Sequence, residues 1–502
     1  MKQYDFVIIG SGLGGLTCGA ILSKKGYSVC ILEKNTVFGG CLQSYYRNGA
    51  KYETGVHYLG SLEKGQILNK LFNYLEILPA VEFERLGIEA FDKFTFGNNP
   101  EYFGVAQGYD LFKKALSERF PEEKEGIEKY CSSMLDTCHR FPLYTFKGID
   151  FENKLDLLYS NANDIICSYV KNPTLRAILA GNNPLYAGVA DKTPFYIHAL
   201  IINSLIESSW RCKDGGSSIS KALINVIKKN GGVLKNNAEV KSFEEKDSLV
   251  SKAVTKTGEE YYGRNFISSL HPSVTLSLTA STQFRQIYRK RISQLENTTS
   301  PFILSIKLKP NTLPFFDYNH YHYHSENVWD SAEYTPEQWP KSFVLFTSTK
   351  YEGTNMAKTG CIMTYMNYSD VAKWENTFNT VFQPGSRGKD YEAFKQERVD
   401  RLLKLVEFKY PGITNMIEEY HAATPLTYRD YIGNPEGSLY GVLKDSSEPL
   451  KNYFPSKTKI PNLYLTGQNM SVHGVLGVAM SAVITCGEFL GLDNILTEVK
   501  NS

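Results

Sequence analysis

Closely spaced glycines near the start of the chain carry the clearest chemistry. Gly10, Gly12 and Gly15 form the spacing G-x-G-x-x-G, and Gly14 adds a further glycine. In this spacing the first glycine permits a tight turn, the second lets the backbone approach a pyrophosphate, and the third lets a helix pack closely on a strand. Glu33 follows roughly 20 residues later, where an acid can accept hydrogen bonds from ribose hydroxyls. The pattern predicts a dinucleotide-binding site.

The flanking residues predict the elements that hold this turn in place. Residues 4–9 are an apolar run typical of a buried parallel strand, residues 13–25 have helical spacing, and residues 27–32 form a second apolar strand. This context makes the glycine spacing specific, because phosphates bind at the positive N-terminus of the helix. Leu13 begins the helix and Lys34 follows the acid, so both join the candidate cofactor-binding residues.

Composition excludes several classes of protein. A length of 502 residues allows two or more domains, and 55 basic against 53 acidic residues indicate neither nucleic-acid binding nor an acidic tail. The nine cysteines include no C-x-x-C pair, which favours reduced thiols and a cytoplasmic location. The uncharged run at 6–22 is too rich in glycine and a little short for a membrane helix, and Asp5 stands where a signal peptide would be basic.

A second glycine pair points to a flavin rather than a nicotinamide as the bound group. Gly39 and Gly40 allow close passage of the backbone beside a bulky cofactor, and Cys41 follows them. Residues 51–60 then mix polar and apolar types between two glycines. We expect this segment to form a strand or turn beneath the cofactor.

These blocks carry a family resemblance. The run Gly39-Gly40-Cys41 and the residues at 54–58, which include Gly55, Val56 and His57, resemble the retinol saturase branch of the phytoene desaturase and carotenoid isomerase superfamily. Desaturases and amine oxidases of that fold usually have arginine where this chain has Cys41. The difference favours the saturase-like branch.

The resemblance implies a fold class and a division into domains. The expected class is α/β, with a Rossmann-like FAD-binding domain of the glutathione reductase type and a discontinuous substrate domain made of a mixed sheet plus helices. The FAD-binding domain is expected at 1–60, 212–272 and 424–502, and the substrate-binding domain at 61–211 and 273–423. In similar flavoproteins the backbone near Val240 contacts the adenine.

The end of the chain supplies the second half of the expected cofactor site. Residues 462–467 predict a strand that ends at Gly467, followed by Gln468, where many relatives have an acid that holds the ribityl chain. A turn containing Gly474, Val475 and Leu476 then leads into a helix over 478–490. A helix N-terminus aimed at the flavin would stabilise negative charge on the reduced ring by about 0.3–2 kcal/mol. In the family, residues 424–431 and 437–441 border the cofactor and substrate cavity.

Catalytic groups are harder to assign than cofactor-binding ones. His57 and His473 are candidates for polar roles near the flavin, and each could equally be a structural hydrogen-bonding residue, so the catalytic acid stays unassigned. Only one dinucleotide fingerprint is present, so NAD(P)H could act only as a transient reductant that docks without its own Rossmann unit. No Ser-His-Asp or Cys-His arrangement supports hydrolysis.

Three further segments carry expectations of their own. His320, His322 and His324 alternate along a predicted strand; they could bind zinc, but a strand with a solvated histidine face fits better, so no metal is assigned. Residues 387–390 predict an exposed loop. Residues 66–78 predict an amphipathic helix, whose apolar stripe is a candidate for peripheral membrane contact or for ordinary core.

The leading hypothesis is an FAD-dependent oxidoreductase that saturates a double bond of a retinoid- or carotenoid-like polyene, with a hydrophobic small molecule as its substrate. A non-redox polyene isomerase that uses reduced FAD is the nearest alternative. A flavin-free chaperone of the GDP dissociation inhibitor type, which binds prenylated proteins, is an alternative of another class. A desaturase or amine oxidase is less favoured because of Cys41. The sequence indicates no oligomeric state.

Overall fold

The computed structural model describes residues 2–146, 155–381, 383–470 and 472–502. The β-strands of these residues are β1 (Gln3–Ile9), β2 (Val29–Leu32), β3 (Ser44–Arg47), β4 (Ala50–Glu53), β5 (Leu59–Gly60), β6 (Phe83–Arg85), β7 (Asp92–Phe96), β8 (Phe103–Val105), β9 (Ser209–Cys212), β10 (Val233–Lys235), β11 (Val240–Lys246), β12 (Leu249–Thr255), β13 (Glu260–Ser268), β14 (Ser300–Leu308), β15 (Asn319–Tyr323), β16 (Ser342–Lys350), β17 (Ala357–Met366), β18 (Ile417–Ala423) and β19 (Leu463–Leu465). The α-helices are α1 (Leu13–Lys24), α2 (Ile67–Tyr74), α3 (Tyr109–Arg119), α4 (Lys124–Arg140), α5 (Leu155–Tyr159), α6 (Ala162–Tyr169), α7 (Pro173–Ala180), α8 (Phe195–Glu207), α9 (Ser217–Lys229), α10 (Pro272–Ser277), α11 (Gln286–Ser293), α12 (Lys389–Lys409), α13 (Ile413–Met416), α14 (Pro425–Ile432), α15 (Gly474–Leu490) and α16 (Leu492–Lys500).

The first sheet joins both ends of the chain. Its parallel part runs in the order β10-β2-β1-β13, with β19 paired in parallel to the far edge of β13. The strands β11 and β12 add an antiparallel extension next to β13. Apolar β1 and β2 are covered on both faces, as parallel strands usually are, and α1 packs between α9 and α15 on one face. The carboxyl ends of β1, β2, β13 and β19 therefore meet at one edge.

The second sheet is mixed and lies over a large apolar core. Its seven strands run in the order β18-β14-β17-β16-β15-β7-β8, and only β15 and β7 pair in parallel. Helices α3, α4, α6 and α8 pack on one another and share one apolar core with strands of this sheet. Helix α12 belongs to a second apolar core, which contains other side chains of the same sheet. The sheet-plus-helices architecture expected from the resemblance is confirmed.

Two sequence expectations about exposure are wrong. The strand β15 is buried along its whole length, so it has no solvated histidine face. The Thr95 hydroxyl lies 2.9 Å from both His320 Nε2 and His322 Nδ1, and burial lowers the pKa of His322 to about 3. Residues 387–390 are also not an exposed loop, because Arg387 is buried and helix α12 begins at Lys389.

Helix α2 lies where an amphipathic helix was predicted, and its apolar stripe faces inward. The stripe residues Ile67, Leu68, Leu71 and Phe72 all belong to the core that α1, α9 and α15 share. This helix therefore presents no apolar face to a membrane. Among the residues that the structure describes, none of the helices combines the length and apolarity needed to cross a bilayer.

Candidate functional site

A cavity of about 410 Å³ opens at the edge where the first sheet's parallel strands end. Ligand sites in open α/β sheets form at this edge, outside the carboxyl ends of the strands. The predicted site residues on its wall come from both ends of the chain: Gly10, Gly12, Leu13, Gly14, Glu33, Lys34, Gly39, Gly40, Cys41, Gly55, Val56, Val240, Gly467, Gln468, Gly474 and Val475. Segments that are far apart in the sequence thus converge on one space.

Three predicted site residues lie away from the wall. A Cβ atom on Gly15 would meet the Gly10 carbonyl oxygen at 2.1 Å, so this glycine serves the packing of α1 on β1. Leu476 is buried in the core on the first turn of α15. His57 stacks on Phe346 of the second sheet, with ring centroids 4.2 Å apart. These three residues pack behind the residues that line the cavity.

The backbone around the cavity leaves space where a dinucleotide would lie. Among the described residues, a Cβ atom on Gly12 or Gly474 would find no atom within 4 Å, so both glycines face open space. The same atom on Gly40 would lie 3.0 Å from the Gly12 Cα, which keeps the two glycine segments in close contact. Helices α1 and α15 begin at this space with no side-chain cap and no acid in the first turn. Their free N–H groups suit an anion or a reduced, negatively charged ring.

Glu33 is held rigidly at the end of β2. Its Oε2 accepts hydrogen bonds from the Ser11 backbone N–H at 2.9 Å and from the Ser11 hydroxyl at 2.6 Å, and its Oε1 accepts one from the Asn35 N–H at 2.9 Å. The Ser11 hydroxyl also accepts from the Gly39 N–H at 3.1 Å, which ties the two glycine segments together. The carboxylate reaches the cavity wall with acceptor capacity left for ribose hydroxyls.

Helix α14 positions the aromatic side of the cavity. Thr424 closes a capping box with Thr427 at its start, and Asp430 forms a buried ion pair with Arg387 from the beginning of α12. With the helix held at both places, Tyr428 lies on the cavity wall and its hydroxyl donates to the Thr54 carbonyl oxygen. The segment at 424–431 thus borders the cavity as the resemblance implied.

Cys41 and Tyr440 form the same region of the wall as Tyr428. Burial raises the pKa of the Cys41 thiol to about 11, so the group is neutral near pH 7. Tyr440 stacks on His473 with centroids 4.1 Å apart, and its hydroxyl donates to the Pro184 carbonyl at 3.1 Å. His473 Nε2 lies 3.1 Å from the Leu185 carbonyl, and burial lowers the histidine pKa to about 4. This region is uncharged and aromatic, which suits an apolar ligand.

Sequence reasoning missed several wall residues at the end of β13. Ser269, Leu270 and His271 line the cavity together with Val274 of helix α10. The available signal was topological, since side chains that follow a parallel strand gather at the carboxyl edge of the sheet.

A buried ionisable cluster lies behind Gly55 and Val56. Burial raises the pKa of Glu53 to about 8 and lowers that of His57 to about 4, and His57 Nδ1 lies 4.0 Å from Glu53 Oε2. Arg211 is also buried, and its positive charge favours ionised Glu53. In the described ranges, no group of three His, Cys, Asp or Glu side chains is arranged to hold a metal ion.

Comparisons with known proteins agree with this geometry. Residues 8–75 match the family model of an NAD(P)-binding Rossmann-like domain. The chain is 26% identical to an all-trans-retinol 13,14-reductase of Danio rerio over 97% of this chain and 86% of that protein. It is 25% identical to a chloroplastic prolycopene isomerase of Daucus carota over 96% of this chain and 79% of that protein.

Along nearly its whole length the chain resembles these two enzymes, which are members of the phytoene desaturase-like superfamily of FAD oxidoreductases. A crystal structure of an oxidoreductase from Methanosarcina mazei shares the fold with a TM-score of 0.64 at 16% identity, covering 95% of this chain and 98% of that one. The match to a Rossmann-like domain and the similarity to these relatives support a flavin-type cofactor in the cavity. The expected resemblance, the fold class and the assignment as an enzyme are confirmed.

Proposed function

We propose that this protein is an FAD-dependent oxidoreductase that saturates a carbon–carbon double bond of a hydrophobic, retinoid- or carotenoid-like polyene. The observation that carries the proposal is similarity to a retinol 13,14-reductase along 97% of the chain. The uncharged, aromatic wall around Cys41, Tyr428 and Tyr440 supports it, because an apolar substrate needs such a surface beside the cofactor. When bound, the flavin supplies the two-electron chemistry.

The residues of the chain have separate roles in this proposal. The free N–H groups at the start of α1 bind the pyrophosphate, Glu33 binds ribose, and the backbone near Val240 contacts the adenine. Gln468 hydrogen-bonds the ribityl chain, and the N-terminus of α15 faces the flavin ring. The enclosing wall excludes water, which protects the reduced cofactor from side reactions.

The proposed domains follow the two sheets. All strands of the first sheet fall within 1–60, 212–272 and 424–502, which we assign to FAD binding. The strands of the second sheet fall within 61–211 and 273–423, which we assign to substrate binding. The single dinucleotide fingerprint of the sequence is assigned to FAD. We therefore propose that NAD(P)H acts as a transient reductant, which docks without a Rossmann unit of its own. Contact with a membrane, if the polyene is taken from lipid, would involve a surface other than α2.

A second candidate is isomerisation of a polyene with reduced FAD and no net redox change. The similarity to a prolycopene isomerase over 96% of the chain favours it. The two reactions differ in product mass, since saturation adds two hydrogens and isomerisation adds none. A flavin-free chaperone would not need the open space beside Gly12 and Gly474, whereas an enzyme that binds FAD would.

An absorption spectrum of the purified protein is the first test. We expect a bound flavin that bleaches under anaerobic NADPH or dithionite and is reoxidised when all-trans-retinol or a carotenoid is added. Mass spectrometry of the product then separates saturation from isomerisation. A colourless protein that takes up no FAD would contradict both reactions and favour the chaperone.

A further inference from the structure

Tyr58, Tyr321 and Asp92 form a buried hydrogen-bonded trio next to the cofactor cavity. The Tyr58 hydroxyl lies 2.6 Å from the Tyr321 hydroxyl and donates to Asp92 Oδ2 at 2.9 Å. Tyr58 follows the wall residues Gly55 and Val56 and packs against the apolar core of the second sheet. Tyr321 and Asp92 have no exposed surface, whereas Tyr58 remains partly accessible. Tyr58 is therefore the least buried member of the trio, and it lies two residues after Val56 of the cavity wall.

The carboxyl of Asp92 is held by three donors. Asn319 Nδ2 donates to Oδ1 at 2.8 Å, and Asn182 Nδ2 donates to Oδ2 at 2.6 Å, beside the bond from Tyr58. Burial nevertheless raises the pKa of Asp92 to about 7, against the lowering effect of these donors and of Arg211. The ionisable groups around this carboxyl are Tyr58, Tyr321, Tyr323 and Arg211. Three of them are neutral phenols, so Asp92 alone changes its charge near neutral pH.

The protonation of Asp92 decides which way the Tyr58 hydroxyl points. An ionised carboxylate can only accept, so the Tyr58 proton is directed at Asp92. A protonated carboxyl donates to the phenol oxygen instead, which frees the Tyr58 proton for another acceptor. A hydrogen-bond network that only stabilises the fold does not need this reversal. Saturation of a double bond does need a proton donor, because one of the two carbons must receive a proton.

We propose that Tyr58 is the acid that protonates one carbon of the substrate double bond, and that Asp92 is a positioning residue that returns a proton to Tyr58. This proposal rests on the proposed saturating function. In the step, the Tyr58 O–H bond breaks, a C–H bond forms on one carbon, and the Asp92 proton moves to the phenol oxygen. A bound reduced flavin would supply the hydride, with its electron pair, to the other carbon. Asp92 is left as a carboxylate and takes its next proton from solvent.

The first experiment measures the carboxyl without turnover. Infrared difference spectra of the holoenzyme between pH 5 and pH 9 should contain a buried carboxylic-acid band that titrates near pH 7 and is absent from Asp92→Asn, beside the Glu53 band that titrates near pH 8 and is absent from Glu53→Gln. A spectrum in which no such band titrates in this range, or in which the band persists in Asp92→Asn, overturns the role of Asp92.

The second experiment measures a single turnover. Reduced wild type and Tyr58→Phe are mixed anaerobically with all-trans-retinol, and flavin reoxidation is followed together with product mass. We expect Tyr58→Phe to bind flavin normally and to reoxidise at least about 100-fold more slowly, the usual cost of losing a general acid. In deuterated water the wild-type product should carry solvent deuterium at the carbon that Tyr58 protonates. Tyr323→Phe removes a buried hydroxyl from the same strand as Tyr321 without touching Asp92, and should react like wild type.

The outcomes separate the two proposals. Equal rates for wild type and Tyr58→Phe, with saturated product from both, overturn only the role of Tyr58. A wild-type protein that no polyene reoxidises, or that gives a product of unchanged mass, overturns the saturating function and the role of Tyr58 with it. The pH profile is a further readout: the wild-type rate should fall above about pH 7, and in Asp92→Asn this fall should disappear.

Discussion

Gly14 lies against Gly467, although the two residues belong to opposite ends of the chain. A Cβ atom on Gly14 would lie 3.0 Å from the Gly467 Cα and 3.1 Å from its backbone nitrogen. Neighbouring Gly12 has no atom within 4 Å of the same position. Two glycines of one motif therefore serve different purposes, since one joins the N- and C-terminal segments and the other leaves space in the cavity.

This difference predicts opposite effects for the same substitution. Gly12→Val should keep the stability of the flavin-free protein and weaken flavin binding at least about tenfold, because its side chain projects into the cavity. Gly14→Val should lower the free energy of unfolding of the flavin-free protein by about 1–3 kcal/mol, because it overpacks a backbone contact. Flavin titration and urea unfolding of both variants would test this. Equal loss of stability in both would contradict the distinction.

The buried ion pair between Arg387 and Asp430 should be worth far more than a surface pair. The side chains are 4% and 0% exposed, and Asp430 also accepts from the Asn379 N–H at 2.9 Å. Arg387→Met should lower the free energy of unfolding by about 1.5–3 kcal/mol, because it removes one charged donor from a buried carboxylate whose Oδ1 still pairs with Arg429 at 2.7 Å.

The matched control lies on α12, which begins two residues after Arg387. Lys395 pairs with Glu392 on the surface of α12 at 2.6 Å. Lys395→Met should change the free energy of unfolding by only about 0–1 kcal/mol. Denaturant unfolding measures both, and similar costs for the two substitutions would show that burial does not decide the value of the Arg387 pair.

Glu53 should make stability depend on pH. Burial raises its folded-state pKa to about 8, well above its value in the unfolded chain. Its stabilising contribution is therefore complete in acid, below the unfolded pKa, and is lost as pH rises through about 8. Between these limits the free energy of unfolding should fall by up to about 1.4 kcal/mol per pH unit from this group. Urea unfolding of wild type and Glu53→Gln at pH 5 and pH 8 should show a weaker decline in the variant.

The Cys41 thiol should report on the occupancy of the cavity. It lies on the cavity wall, and burial raises its pKa to about 11, so alkylation by iodoacetamide should be slow at pH 7 and still accelerate between pH 8 and pH 10. Bound flavin should protect it. Cys167, a partly exposed thiol on α6 away from the cavity, is the internal control. Mass spectrometry that finds Cys41 labelled equally with and without flavin would place it outside the cofactor site.

Much of the cofactor site could be predicted from sequence because it depends on local signals. The turn between β1 and α1 needs glycines at set positions, and Glu33 follows from the length of one βαβ unit. Helix α1 was predicted over 13–25 and spans Leu13–Lys24, because helical spacing and a glycine stop are both short-range features. A similar argument located β19, whereas α15 begins at Gly474, so the turn expected at 474–476 is wrong and these residues form the first turn of the helix.

Burial and long-range contacts were decided only by the tertiary structure. Alternation in β15 placed His320 and His322 on one face, but only the packing of neighbouring strands determines that this face is dry. Arg387 has an unremarkable local sequence and becomes buried because Asp430 lies opposite it. The meeting of Tyr58 with Asp92 and Tyr321 has no signature within any one segment, since each residue belongs to a different element. Periodicity tells which side chains share a face, whereas the surface that covers the face sets their solvation, and therefore their pKa and their chemistry.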